Sequence, residues 1–230
     1  MALAGSAVVM LSVTGSLQGF SAAVSNGSNN LNSGTLLLSQ QVPSQSTCFS
    51  TAAGSQISNN SSACASNLFG NLTNAAPGTQ ATTAVTLRNV GDTNGSGLSL
   101  QPGACTAAAS QINNSAPTQS VNGTVTSTTY AQVMSGTDTA AFCGKVDLTI
   151  FNGTNCVYPA GSGPCPAPSS SYTLASFASA DSASGLPLDS GGLAAGQSIT
   201  ATVTVELDPG AGNADQGLAA TMPLTWTLMQ

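Results

Sequence analysis

The stretch SITATVTVELD, residues 198–208, alternates strictly between apolar and polar side chains. Its odd-numbered positions from 199 to 207 carry Ile, Ala, Val, Val and Leu, and the positions between them carry threonine and Glu206. A period of two residues is typical of a β-strand, because successive side chains point to opposite faces of a sheet. The stretch therefore predicts a strand with one face buried and the other in contact with water.

The same alternation recurs along the chain and predicts an all-β protein. Asn-Gly, Pro-Gly and Gly-Gly turn signals separate the segments. Helical periodicity is nearly absent, except in an Ala-rich stretch at 105–112 that predicts one short helix. Strands with one apolar face must pack as two sheets or close into a barrel, so we expect an antiparallel β-sandwich. The further strand candidates are TLLLSQQV (35–42), TTAVTLRNVG (82–91), KVDLTIFNG (145–153), SYTLASF (171–177) and LAATMPLTWTLMQ (218–230).

Three weakly patterned regions, 43–80, 101–120 and 152–170, contain prolines and cysteines and are expected to form long loops. Pro223 interrupts the last strand candidate. Because proline cannot donate to a strand ladder, this position is expected on an edge strand or at a bulge.

The composition excludes several classes of partner. The chain has 230 residues, of which two are basic and eight are acidic, giving a net charge of −6. Two basic residues cannot neutralise a row of phosphates, so neither nucleic acid nor an anionic membrane surface is expected as a partner. Low charge and abundant Ser and Gly also fit a disordered chain, but 41% of residues are hydrophobic and they follow ordered patterns.

The even number of cysteines suggests disulfides. None of the six forms a CxxC pair, and no histidine is present to complete a zinc site. In a chain with so few charges we expect an oxidising compartment and up to three disulfides, with buried free thiols as the alternative. Fifteen pairings are possible. Closure of short loops favours Cys48 with Cys64 and Cys156 with Cys165, which leaves Cys105 for Cys143.

No catalytic, cofactor-binding or metal-binding residues are predicted. The absence of histidine excludes a Ser-His-Asp triad and an HExxH zinc helix. The carboxylates are scattered, and the stretch from Asp92 to Gly95 lacks the remaining ligands of a calcium loop. Lys145 is the only lysine and is expected at an exposed strand start. We therefore expect that the protein is not an enzyme.

Residues 1–19 resemble a signal peptide. The apolar run MALAGSAVVMLSV is too short to span a membrane, which requires about 20 apolar residues. A buried N-terminal strand or helix is the alternative. Secretion, to the extracellular space or the cell surface, is the expectation, with no stable membrane span.

Three stretches resemble the TasA/camelysin family of secreted fibre-forming proteins. The first contains Phe20-Ser21, Asn29, Leu31 and then GTLLL from Gly34, in the order and spacing of the family's N-terminal pattern. The second is VTLRNVGD (85–92), and the third is the C-terminal stretch 206–230. Ala22 replaces the aspartate that follows Phe-Ser in the family.

The resemblance implies a jelly-roll subunit of an extracellular filament, such as a biofilm matrix fibre or a pilus. It implies donor-strand complementation, in which residues 20–32, here named the N-terminal arm, add a strand to the sheet of the next identical subunit. Phe20, Val24 and Leu31 are the expected apolar anchors of this arm. The rest of the chain, 33–230, is expected to form one domain, and an accessory or anchoring matrix protein is a further possible partner.

A second function remains open from the sequence. A monomeric secreted or cell-surface β-sandwich that binds or adheres to a ligand has the same strand pattern. Such a module usually presents exposed aromatic residues, and this chain has one Trp and three Tyr. Trp226 lies on the apolar face of its predicted strand and is expected in the core.

Overall fold

A computed structural model of the protein describes residues 34–50, 64–70, 72, 75–109, 119–121, 124–126, 138–180 and 185–230. Within these residues the chain forms antiparallel β-sheets with very little helix, as the alternation predicts. The strands are β1 (Leu38–Gln41), β2 (Cys48–Phe49), β3 (Gln80–Asn89), β4 (Gly97–Pro102), β5 (Thr106–Ala109), β6 (Gln119–Val121), β7 (Thr124–Thr126), β8 (Val146–Phe151), β9 (Cys156–Tyr158), β10 (Leu186–Asp189), β11 (Ser198–Leu207), β12 (Leu218–Thr221) and β13 (Leu224–Met229).

The largest sheet has six strands in the order β2-β1-β3-β11-β8-β9. Its centre is the pair of ten-residue strands β3 and β11, which remain in register from Arg88 opposite Ser198 to Gln80 opposite Glu206. Val203 of β11 is fully buried, as the alternation of residues 198–208 predicts.

A three-stranded sheet has the order β10-β4-β13, and β12 pairs with β5. The N–H of Gly103 donates to the carbonyl of Pro223, so the β4–β13 ladder continues into the β5–β12 ladder. The break between β12 and β13 falls at Met222 and Pro223, and β13 is an edge strand. Both observations agree with the position expected for Pro223.

One hydrophobic cluster joins the six-stranded and three-stranded sheets. Val85 and Leu148 of the larger sheet and Leu98 and Leu100 of β4 belong to it, and each is at most 1% exposed. Full burial of such a side chain contributes roughly 1.5–3 kcal/mol to folding. Trp226 is half-buried and packs against the same cluster, as expected.

Three disulfides connect the six cysteines in the pairing favoured by loop closure. Cys48 bonds to Cys64, Cys105 to Cys143 and Cys156 to Cys165. They lie in or beside the three regions expected to be long loops, although β2, β5, β6 and β9 also form there. Disulfides are typical of proteins that fold in oxidising compartments outside the cytosol.

The prediction of a strand at 171–177 is wrong. Leu174–Ser179 form an α-helix, α1. Thr173 and Ser176 make a capping box, in which the Thr173 hydroxyl accepts from the Ser176 N–H and the Ser176 hydroxyl accepts from the Thr173 N–H. Leu174 and Phe177 are three positions apart, so both lie on the buried face of this helix. The sequence of this segment is therefore compatible with a helix as well as with a strand, and the capping box favours the helix.

The short helix that the stretch 105–112 could have formed is not present in its described part, which ends at Ala109. Thr106–Ala109 form β5, which pairs in register with Leu218–Thr221 more than one hundred residues later in the chain. Alanine has the highest intrinsic helix propensity, but this preference is small, and tertiary contacts such as the β5–β12 ladder that continues from β4 override it. The disulfide of Cys105 to Cys143 attaches the start of the same strand to the segment before β8.

Candidate assembly surface

The first described residues are held in place by a loop that follows β3. The N–H and the hydroxyl of Thr35 both donate to Oδ1 of Asp92, the hydroxyl over 3.0 Å. In return, the N–H groups of Asp92 and Thr93 donate to the carbonyl of Thr35 over 3.0 and 3.1 Å. The donors of Thr35 hold the pKa of Asp92 below its usual value, because they stabilise the carboxylate. We call these contacts the Thr35 clamp.

Asn89 organises the loop that carries the clamp. Its side chain is fully buried, donates to the carbonyls of Thr93 at 2.7 Å and Leu193 at 2.9 Å, and accepts from the N–H of Gly91 at 3.0 Å. A Cβ atom at Gly91 would lie 2.2 Å from the carbonyl oxygen of Thr35, so only glycine fits there without displacing the clamp. The clamp thus depends on one buried amide and one close backbone approach.

The described parts of three stretches, residues 34–38, 85–92 and 206–230, come together at this end of the domain. Gly34 and Thr35 contact the loop at 91–93 through the clamp. The N–H of Ser96 donates to the carbonyl of Met229 over 2.7 Å, which brings the C-terminal strand to the same place. The order and spacing of these stretches are visible in the sequence, but their contact is not.

At the other end of β3 one edge is unpaired. The odd-numbered residues of β3 bond to β11, as the bonds of Asn89 with Gln197 and Gly196 illustrate, so the even-numbered residues point towards β1. The pairing of β1 with β3 ends at Gln41 opposite Thr86. No strand in the described part of the chain pairs with the remaining residues on that side. We call residues 80–84 the open edge of β3.

Proline chemistry explains why β1 stops there. Continuing the register of β1 would place Pro43 opposite Ala84, and proline has no N–H to donate to the ladder. Ser44 then has φ of 63° and the Gln45 N–H donates to the carbonyl of Val42, so the chain turns away from the sheet. The backbone groups of Thr82 and Ala84 that face β1's side are left without a strand partner.

A groove of about 240 Å³ runs along this open edge. One wall is the edge at Thr82–Ala84, and the facing wall includes Gln45 and Asn67. The side chain of Gln45 donates to the carbonyl of Asn67 and accepts from its N–H, so this facing wall is fixed by two hydrogen bonds. The open edge therefore borders a shaped recess that also contains Val42 and Pro43.

Along β13 lies a second edge that no strand of the described residues covers. Its odd-numbered residues pair with β4, so Leu224, Trp226 and Leu228 direct their backbone groups away from that strand. Their side chains are half-buried against the core cluster. The indole Nε1 of Trp226 is buried and makes no hydrogen bond in the structure.

The residues predicted for assembly are only partly described. Gly34 lies beside the clamp, where its position leaves no room for a Cβ next to the Thr93 hydroxyl. Residues 1–33 lie outside the described part, and this covers the signal-like segment and the arm residues Phe20, Ser21, Val24, Asn29 and Leu31.

Asp147 is a buried acid that the sequence did not single out. It is 1% exposed, and neither carboxylate oxygen makes a hydrogen bond. It lies on β8 directly opposite Glu206, and both Glu206 and Asp208 repel its charge, whereas Lys145 attracts it. Burial, followed by these repulsions, raises the pKa of Asp147 to about 6. Asp147 lies on the face of β8 opposite to that of Leu148 and Ile150, and it is nonetheless buried.

Among the described residues, no group of three or more His, Cys, Asp or Glu side chains is arranged to hold a metal ion. No helix in the same part of the chain is both long enough and apolar enough to cross a membrane.

Comparison with known proteins adds no assignment. No family model matches the chain, and no curated protein matches it.

Proposed function

We propose that this chain is the structural subunit of an extracellular filament, assembled when the N-terminal arm (20–32) of one copy adds a strand to a sheet of the next. The open edge of β3 carries the proposal. Unpaired backbone N–H and C=O groups on a sheet edge are a template for another strand, and natural monomers usually cover or block such edges. Here no strand of the described residues covers the edge, and it borders a recess where an incoming backbone would complete it.

The subunit is proposed to be a jelly-roll-like β-sandwich. Support comes from the core cluster, which includes residues of both the six-stranded and the three-stranded sheet. The larger sheet has six strands and the smaller one three, so the two layers are unequal. A structure of this kind has edges at which a strand can be added.

The arm has the composition of a soluble donor strand. It is rich in Ser and Asn, carries no charge, and has spaced apolar residues at Phe20, Val24 and Leu31. Backbone hydrogen bonds would supply affinity, and the apolar side chains would fill recesses of the acceptor. A contact between two different surfaces that does not close into a ring produces a filament.

Low charge and three disulfides fit this role. With a net charge of −6 over 230 residues, little electrostatic repulsion opposes close stacking of identical copies. The disulfides support a subunit that is secreted and then persists outside the cell.

Removal of the arm should abolish filaments and leave the domain folded. The core cluster extends from Val42 to Met222 and all three disulfides lie within residues 34–230, so a chain that starts at Gly34 retains them. We expect a chain from Gly19 to form filaments visible by electron microscopy, and the chain from Gly34 to be a folded monomer by circular dichroism and size-exclusion chromatography.

The matched control keeps the arm's length and removes its anchors. A chain from Gly19 with Phe20→Ser, Val24→Ser and Leu31→Ser should also remain monomeric. If the chain from Gly34 still forms the same filaments, the proposed mechanism is wrong, and a monomeric binding module is favoured if the chain from Gly19 never polymerises.

A further inference from the structure

We infer that the arm enters along the open edge of β3, antiparallel to that strand and in line with β1, so that subunits stack head to tail along the strand direction. The inference rests on the proposed function and goes beyond it, since it names the acceptor edge, the direction of the arm and the polarity of the filament.

The first step is that, on one side, β3 is paired with β1 over only part of its length. β1 pairs with β3 from Asn89 to Thr86, and Pro43 and Ser44 then turn the chain away. An added strand that follows the same line as β1 meets the free backbone groups of Ala84 and Thr82 at once. β13, by contrast, has no strand on its free side that defines such a line.

The second step is that the two ends of β3 have different roles. The Thr35 clamp lies next to the residues that follow Asn89, and the open edge begins at Gln80. At about 3.3 Å per residue, these ends are roughly 30 Å apart. Gly34, the first described residue, therefore lies at the end of the domain that is opposite the open edge, which is the arrangement a head-to-tail polymer requires.

The third step gives the direction. β1 is antiparallel to β3, and it runs from the clamped end towards the open edge. An arm that precedes β1 in a neighbouring copy, and approaches from the Gln80 end, runs in the same direction as β1 and hence antiparallel to β3. The arm of one copy and β1 of the next then form one broken line of strand along the filament.

The fourth step concerns the faces of the arm. In an antiparallel pair, residues directly opposite each other share a face. Positions opposite Thr83 face the same side as the buried Val85, and positions opposite Thr82 face the exposed side, where the Thr82 hydroxyl contacts that of Thr204. In the arm, Phe20, Ala22 and Val24 share one parity and fit the inward face, whereas Leu31 has the opposite parity and is not assigned to that face.

Site-specific photo-crosslinking in assembled filaments tests the acceptor edge. A benzoylphenylalanine at Thr82, which is exposed on the open edge, should capture residues 20–33 of another copy, as identified by mass spectrometry. The matched probe at Thr227, which is also exposed but lies on β13, should not give this cross-link. Filaments mixed from two isotopically labelled pools establish that the cross-link joins different copies.

Two further probes test the direction. With an antiparallel arm, the probe at Gln80 captures arm residues nearer Ser33 than the probe at Ala84 does. The reverse order, or cross-links within one copy, would overturn the inference, since a subunit that fills its own edge brings the arm in parallel to β3.

The remaining outcomes separate the inference from the proposed function. Capture of the arm at Thr227 and not at Thr82 overturns the inference and leaves donor-strand assembly intact. Filaments in which neither probe captures the arm also overturn the inference, whereas the proposed function is decided separately by whether the chain from Gly34 still forms filaments.

Discussion

Replacing Asn89 with alanine is expected to lower the free energy of unfolding by roughly 3–5 kcal/mol. The fully buried side chain bonds to three backbone groups, the carbonyls of Thr93 and Leu193 and the N–H of Gly91. Alanine satisfies none of them, and each polar group left without a partner away from water costs about 1–3 kcal/mol. Without these three hydrogen bonds, the loop that carries the Thr35 clamp would no longer be held in its conformation.

Asn67 provides a matched control for this variant. Its amide makes the same kind of local contacts, donating to the carbonyl of Gly70 and accepting from the N–H of Phe69, but the residue is exposed. Water replaces those contacts in Asn67→Ala, so a loss of about 1 kcal/mol is expected. Urea unfolding measures both. Equal losses for the two variants would show that burial adds nothing to the stabilisation by Asn89.

Replacing Asp147 with asparagine is expected to stabilise the protein at neutral pH and to have little effect at pH 4. The carboxylate is buried without a hydrogen bond and faces Glu206 and Asp208, with Lys145 as the nearby positive charge. Its pKa of about 6 in the folded protein exceeds the ordinary value of 3.8. The folded state therefore holds the proton more tightly than the unfolded state does.

The sign of the pH dependence follows from this difference. The contribution of Asp147 to stability is fully present below about pH 4 and is lost as the pH rises through 6. Above that pH the wild-type protein carries this buried charge without a hydrogen bond, at a cost of up to about 3 kcal/mol, since one pKa unit corresponds to about 1.4 kcal/mol. Asp147→Asn removes this cost.

Thermal or urea unfolding between pH 4 and pH 8 checks the prediction. The stability of the wild-type protein relative to Asp147→Asn should fall across this range. Asp138→Asn is the control, because it removes the same charge at an exposed position. If Asp147→Asn runs parallel to the wild-type protein at every pH, the carboxylate is not carrying a buried charge.

The all-β architecture could be predicted because the central strands alternate between buried apolar and exposed polar residues along their own sequence. In residues 198–207 and 82–89, one face packs into the core and the other carries threonine and Arg88 towards water, so the alternation survives in the sequence. The disulfide pairing followed from loop closure for the same reason, since two of the three bonds join cysteines 16 or fewer residues apart.

Local patterns failed where distant contacts or end groups decide the structure. The segment at Thr173 alternates like a strand, but its capping box starts a helix. Thr106–Ala109 is rich in alanine, which favours a helix, but it forms a strand because it pairs with Leu218–Thr221, more than one hundred residues away. Asp147 occupies an outward position on β8, and its burial cannot be read from the strand's own sequence.

Only part of the candidate assembly surface could be predicted from the sequence. The arm is a prediction that lies outside the described residues, whereas the sequence does contain the stretches whose described parts come together at the clamp. The open edge of β3 could not be read from the chain, since it follows from the register of β1, which places Pro43 opposite Ala84. A proline after a strand is common, and only the pairing shows which backbone groups it leaves free.

The central claim is that a chain segment of one copy completes a sheet of another, and amide hydrogen exchange tests it most directly. A synthetic peptide of residues 19–33 is added to the domain that starts at Gly34, and exchange is followed residue by residue. The account predicts saturable binding and slowed exchange of the amides of Thr82 and Ala84, which face the open edge. Exchange that stays unchanged at every sheet edge under excess peptide would contradict it.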